Sequence, residues 1–244
     1  GVIIGKAISE GGSLEQSIGG VETLFKKHAD VVQRHAANAY RTVGVSANEY
    51  MENVTSFSAS LLQSMGGDTE DAAKVAHMAM VDMGDNANKM GTDMRDIQNA
   101  YQGFAKENYT MLDNLKLGYG GTKSEMERLL ADAQKLTGVK YDINNLDDVY
   151  MAIHAVQEEL GITGTTALEA EETITGSFAA MQASFANLLG NIAIGADIDE
   201  NLQSLAQTIS TFLFGNLLPM LGNIFSALPT VLVGFFHYAI PIMR

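Results

Sequence analysis

The 244-residue chain is 46% hydrophobic and only 18% charged, which excludes a disordered polymer and leaves ample material for a core. A formal net charge of −14 repels phosphate backbones and speaks against sequence-driven nucleic-acid binding. Cys is absent, so disulfides and thiolate chemistry are excluded as well. The chain begins at Gly1 with no signal-peptide pattern, and a start other than Met is expected of a fragment or processed product with functional flanks.

Helix is the expected state. The three prolines stand at 219, 229 and 241, so residues 1–218 carry no imino interruption, and Ala, Leu, Met, Glu and Gln are abundant. The 24 glycines argue against one unbroken rod and for short to medium helices joined by Gly-containing turns. Capping boxes, in which Ser or Thr and a Glu or Gln three residues on satisfy first-turn N–H groups, occur at Ser13/Gln16, Ser46/Glu49, Thr122/Glu125 and Thr166/Glu169. Asp68 and the Asn144/Asn145 pair mark two further starts. The resulting map places helices near 13–42, 46–64, 69–89, 93–106, 122–136, 146–160 and 166–193, with more helix in 200–243. In 146–160, Leu146, Val149, Ile153 and Leu160 share a face, and in 166–193 Leu168, Ile174, Phe178, Met181, Phe185 and Leu188/Leu189 recur at helical spacing. Both stripes predict helices laid on a core or on a partner helix. The fold class is all-α, bundled or extended in an oligomeric assembly, with a helical region over 1–200 and an uncharged apolar segment over 201–244.

Signs of chemistry are weak. "GYGGTKS" (Gly118–Ser124) lacks the spacing of a phosphate loop and reads as one helix end followed by the Thr122 cap. His28, His35, His77, His154 and His237 form no metal-ligand pattern, and no serine stands in a nucleophile elbow. No catalytic, cofactor or metal site is expected. Met65, Met78, Met80, Met83, Met90 and Met94 crowd one region and read as plain core or as an adaptable helix interface.

The C-terminal segment stands apart. All 29 acidic residues and 14 of the 15 basic ones precede Asn201, and only Arg244 follows. From Leu202 to Leu213, apolar residues at 202, 205, 206, 209, 212 and 213 oppose Gln203, Gln207, Ser210 and Thr211, the pattern of an amphipathic helix suited to a partner. From 217 onward the sequence is apolar all round and long enough for one bilayer span. The candidate membrane or partner residues are Leu217, Leu218, Pro219, Ile224, Phe225, Leu228, Pro229, Val231, Leu232, Phe235 and Phe236. Prolines favour a helix's first turn, which predicts short helices starting near 219 and 229.

Several long runs carry a resemblance. "AISEGGSLEQSIGGVETLFK", the run Ser46–Gly138 containing "QNAYQGFAKENYTMLDNLKLGYGGTK", and "KYDINNLDDVYMAIHAVQEELGITGTTALEAEETITGSFAAMQASFANLLGNIA" resemble the tail tape measure proteins of long-tailed phages and prophages of Gram-positive bacteria, over roughly residues 1–200. That resemblance implies a structural virion protein and not an enzyme. It implies a place inside the tail tube or tip, several copies (three or six) and tail tube, tail-tip and tail assembly chaperone proteins as partners. It also implies a length-setting role in tail assembly and exit ahead of the DNA during genome ejection, with the host membrane as a partner of the apolar segment. Phage-derived tail bacteriocins carry similar proteins. The alternative from the segment alone is a constitutive membrane-active pore or holin-like protein.

Overall fold

The structure, a computed structural model, describes the backbone of residues 2–239 and the side chains of residues 2–230 and Val233. It is all-α, with no strand among the described residues. The helices are α1 (Val2–Phe25), α2 (Ala29–Thr42), α3 (Ala47–Ser64), α4 (Thr69–Met90), α5 (Met94–Phe104), α6 (Lys123–Thr137), α7 (Leu146–Glu159), α8 (Thr165–Glu172), α9 (Ile174–Ile194), α10 (Asp199–Ser210) and α11 (Leu218–Ala239). Short 3₁₀ turns occupy Lys26–His28 and Leu112–Leu115, and a π-turn, Thr211–Leu217, joins α10 to α11.

Local chemistry sets several starts. Ser46 Oγ accepts the Glu49 N–H at 3.2 Å, Asp68 accepts from Glu70 and Asp71 at 3.0 and 3.2 Å, and Thr122 accepts from Glu125 at 3.2 Å. Asp93 caps α5 through the Arg95 N–H at 2.8 Å. Gly91 and Gly138 end α4 and α6 in the left-handed conformation that a Cβ disfavours. Asn145 holds the cap position of α7 without a side-chain bond.

Two expected caps are not caps. Ser13 lies inside α1, which begins at Val2. Thr166 lies inside α8, because the first-turn amides of that helix are satisfied from far away. The Asp85 carboxylate, fully buried on α4, accepts the Gly164 N–H at 2.6 Å and the Thr166 N–H at 2.7 Å. The Thr166 hydroxyl accepts from the Asn88 amide at 2.9 Å. Two expected long helices are also broken. The span 13–42 turns at Lys26, whose φ is +51°, and the turn lets both Phe25 and Ala29 enter the core. The span 166–193 breaks at Thr173, which is extended and caps α9 through the Gly176 N–H at 3.0 Å. The break brings Gly176 against the Glu169 carbonyl so closely that any Cβ there would collide with it.

One hydrophobic cluster runs from Leu14 to Ile162 and draws on α1 to α7. At its centre Phe57 meets Tyr150 edge-on at 5.5 Å, Tyr101 and Tyr150 lie 5.0 Å apart, and the Tyr150 hydroxyl donates to the Tyr101 carbonyl at 2.9 Å. The methionine-rich region is core: Met80 and Met83 are fully buried, and Met65, Met78, Met90 and Met94 pack on the cluster. Leu146, Val149 and Ile153 are buried as expected, whereas Leu160 ends α7 facing solvent. Gly84 sits where α4 meets the end of α2, since a Cβ there would lie 2.7 Å from the Val43 carbonyl.

Asp85→Ala strands two amides of α8 and removes their shared acceptor. The expected cost is about 2–4 kcal/mol in denaturant unfolding, with Asp85→Asn, which keeps one acceptor, costing less.

Candidate functional site, an uncovered apolar arm

From Asp199 the chain forms a continuous helical arm. Asp199 and Glu200 place negative charge in the first turn, where the helix dipole favours it, and no charged side chain follows through the described helix. Within the π-turn the Leu218 N–H reaches back five residues to the Leu213 carbonyl. The wider turn accommodates Pro219, which has no N–H and whose ring would crowd the carbonyl of residue 215 in a regular helix.

The expected pair of short helices starting near 219 and 229 is not what forms. Pro219 does fall in the first turn of α11, but Pro229 lies inside that helix. It costs the helix one donor, toward the Phe225 carbonyl, and does not stop it. At 1.5 Å per residue, Leu217 to Ala239 spans about 35 Å, against a hydrocarbon core of about 30 Å.

The structure leaves this surface uncovered. Leu217 is half-buried, Pro219 and Pro229 are exposed, and Leu218, Ile224, Phe225 and Leu228 are 50, 47, 67 and 44% exposed. The side chains of Val231, Leu232, Phe235 and Phe236 lie outside the described residues, although their backbone belongs to α11. The helical stretch Asp199–Thr230 is long and apolar enough to cross a membrane by length and composition, and only 6% of its most apolar window is buried. A continuous apolar surface of this size marks contact with another protein or with lipid.

Towards its base the arm lies on α9, with a face that sequence periodicity did not indicate. Leu202 and Ile209, from the expected apolar face, remain exposed, while Thr208 is buried. Asn191 on α9 donates its amide to Asn201 at 2.6 Å, and the hydroxyls of Ser184 and Thr208 lie 2.7 Å apart. Phe178 and Phe212 meet with ring centroids 5.2 Å apart. Asn216 donates its amide to the carbonyls of Glu171 and Thr211, both at 3.1 Å. The expected stripe on α9 is likewise reversed: Phe178 and Phe185 are exposed, and Ser177, Ala180, Ala183 and Ser184 face inward, where small residues permit close approach.

A buried polar network, also unforeseen, lies on α4. Asp82 is fully buried with Oδ1 2.8 Å from His154 Nδ1, and burial pushes its carboxyl up to about 6 against the pull of that imidazole. Hydrogen bonding to Asp82 in turn raises His154. Gln157 donates to the Asp82 carbonyl at 3.2 Å, and Asn86 donates to Gln157 at 2.7 Å and to the Leu115 carbonyl at 2.9 Å. Asp82 Oδ2, Asn86 Oδ1 and the Tyr101 hydroxyl have no partner.

The other histidines are structural neighbours of α4. His28 lies 2.8 Å from the Thr69 hydroxyl, and His35 stacks on His77 at 3.7 Å with the Tyr50 hydroxyl 2.9 Å from His77 Nδ1. The side chain of His237 lies outside the described residues. Among the described residues no group of three or more His, Asp or Glu is placed to hold a metal. "GYGGTKS" is a packed turn: Thr122 caps α6, a Cβ on Gly121 would collide with the Thr110 carbonyl, and Arg128 lies 4.3 Å over the Tyr119 ring.

Burial pushes His77 down to about 4, and it lowers His35 too, each imidazole being disfavoured as a cation beside its neighbours. A depressed folded value means that protons bind the unfolded chain first. The stacked pair therefore contributes its full stability above about 6.5 and loses it as pH falls towards 4. Thermal unfolding of wild type is expected to drop more steeply over that window than that of His77→Phe, with parallel curves counting against the assignment.

No family model matches this chain, and comparison with curated proteins and with solved structures returns no match either.

Proposed function

We propose that the chain is part of a phage tail tape measure protein, a non-enzymatic virion component that helps set tail tube length and leaves ahead of the DNA. The reading rests on the resemblance over roughly residues 1–200, and the single structural observation that supports it is the uncovered, charge-free arm on a folded acidic body. A surface of that kind needs cover, and inside a tail tube or tip the cover is other copies of this chain, three or six, or tail-tip proteins. Tail assembly chaperones would cover it before assembly. On ejection the host membrane takes the place of those partners. The body's formal charge lets DNA slide past without adhering.

The uncovered arm also favours a second reading, a constitutive membrane-active pore or holin-like protein. The two separate by fractionation. A pore sits in the membrane of cells lacking every other tail gene, whereas a tail component needs the particle.

For the ruler, in-frame removal of a helical stretch from the full-length protein should shorten tails by about 1.5 Å for each residue that lies extended along the tube. Unchanged tail length in electron micrographs excludes that role for the stretch removed. For the arm, the chain should bind neutral phosphatidylcholine vesicles, and deletion of residues 199–239 should reduce binding at least tenfold. Equal binding with and without the arm removes the membrane half of the proposal.

A further inference from the structure

The contacts between α9 and α10 have an unusual composition for two helices in an apolar region. Asn191/Asn201 and Ser184/Thr208 are seven residues apart on both helices, so two polar pairs recur at successive double turns of one antiparallel seam. Such pairs fix register, yet opening them exchanges protein hydrogen bonds for water and costs little. The apolar residues whose exposure would oppose opening, Leu202 and Ile209, already face outward.

The packing beneath is incomplete. A cleft of about 610 Å³ separates the arm's base from the body, bordered by Tyr40, Arg41 and Ala180 on one side and by Gln207, Thr211 and Phe214 on the other. The main hydrophobic cluster contains no fully buried residue after Ile162, so the arm is not needed to complete it. At one end of the seam Gly195, with φ +71°, leads into the short link before α10. At the other, the π-turn carries Asn216, whose amide reaches the Glu171 carbonyl at the end of α8.

We propose that α10 and the π-turn form a latch, with Asn216 as its clasp, and that this segment swings away from α9 about residues 195–198 while the body remains folded. Closed, the latch leaves only α11 free to enter apolar surroundings. Open, it adds Leu202, Leu205, Ile209 and Phe212, so the latch sets how much of the arm changes surroundings. This regulation rests on the reading of the arm as a segment that exchanges protein for lipid; the opening itself does not.

The chain contains no Cys, so Ser184→Cys/Thr208→Cys introduces a single possible cross-link at hydroxyls now 2.7 Å apart. In native-state hydrogen exchange of the uncross-linked protein, amides of 199–217 should exchange together and at least tenfold faster than those of 181–192. The oxidised pair should abolish that difference. Asn216→Leu should speed the arm further and leave the body unchanged, whereas a merely structural loss would speed both. Arm and α9 exchanging at one rate in wild type overturns the latch. With phosphatidylcholine vesicles, reduced protein should gain at least tenfold protection over 199–217 and oxidised protein only over α11. Equal protection of 199–217 in both forms overturns the proposed regulation. If vesicles protect neither form, the lipid reading falls, and exchange without vesicles decides the latch on its own.

Discussion

Two hydrogen bonds from the backbone of α8 to the buried Asp85 carboxylate tie the two parts of this molecule together. Without them, the start of α8 would hold unsatisfied amides against a packed interior. With them, α8 is fixed to α4, the break at Thr173 directs α9 back across the body, and α9 becomes the platform on which the arm rests. Asp85 sits beside Gly84 and Asn86 on the same helix, so close backbone approach and polar satisfaction are solved in three consecutive residues. The rest of the fold is ordinary apolar burial around Tyr101, Phe57 and Tyr150.

Much of this was legible in sequence because helix starts are written locally. Ser46, Asp68 and Thr122 accept amides two or three residues away, so their pattern identifies them without any knowledge of the fold. Asp85 is the opposite case: its partners lie 79 and 81 residues on, and no local rule reveals them. Thr166 carries the same local pattern as Thr122 and is not a cap, because the remote carboxylate has already satisfied the amides. The break at Thr173 was hidden because hydrophobic periodicity continues across it. What interrupts the helix is backbone crowding at Gly176, which leaves periodicity untouched.

The candidate site was legible as a segment and not as a surface. Absence of charge identified the stretch, and one long helix is enough to carry it. Periodicity assigned the wrong faces to α9 and α10, since it assumes that large apolar residues seek the nearest protein. Here small and polar residues, Ala183, Ser184 and Thr208, make the close contact, and Phe185 and Ile209 are left outside. That inversion is physically sensible for a pair of helices whose outer face has a further partner. Pro229 misled for a related reason: its preference for a first turn is statistical, whereas its actual cost is one missing donor.

The charge-free arm has a consequence for the variables that govern the chain. Covering apolar surface carries a negative heat-capacity change and weakens on cooling, whatever the covering partner. With no acid, lysine or arginine among the described residues of the arm after Glu200, that term is close to indifferent to ionic strength. The body, holding all 29 carboxylates, responds in the opposite manner: salt screens its self-repulsion, and temperature matters less to that interaction. One chain thus joins a thermally tuned half to an ionically tuned half, and the short link at 195–198 is where the two responses meet.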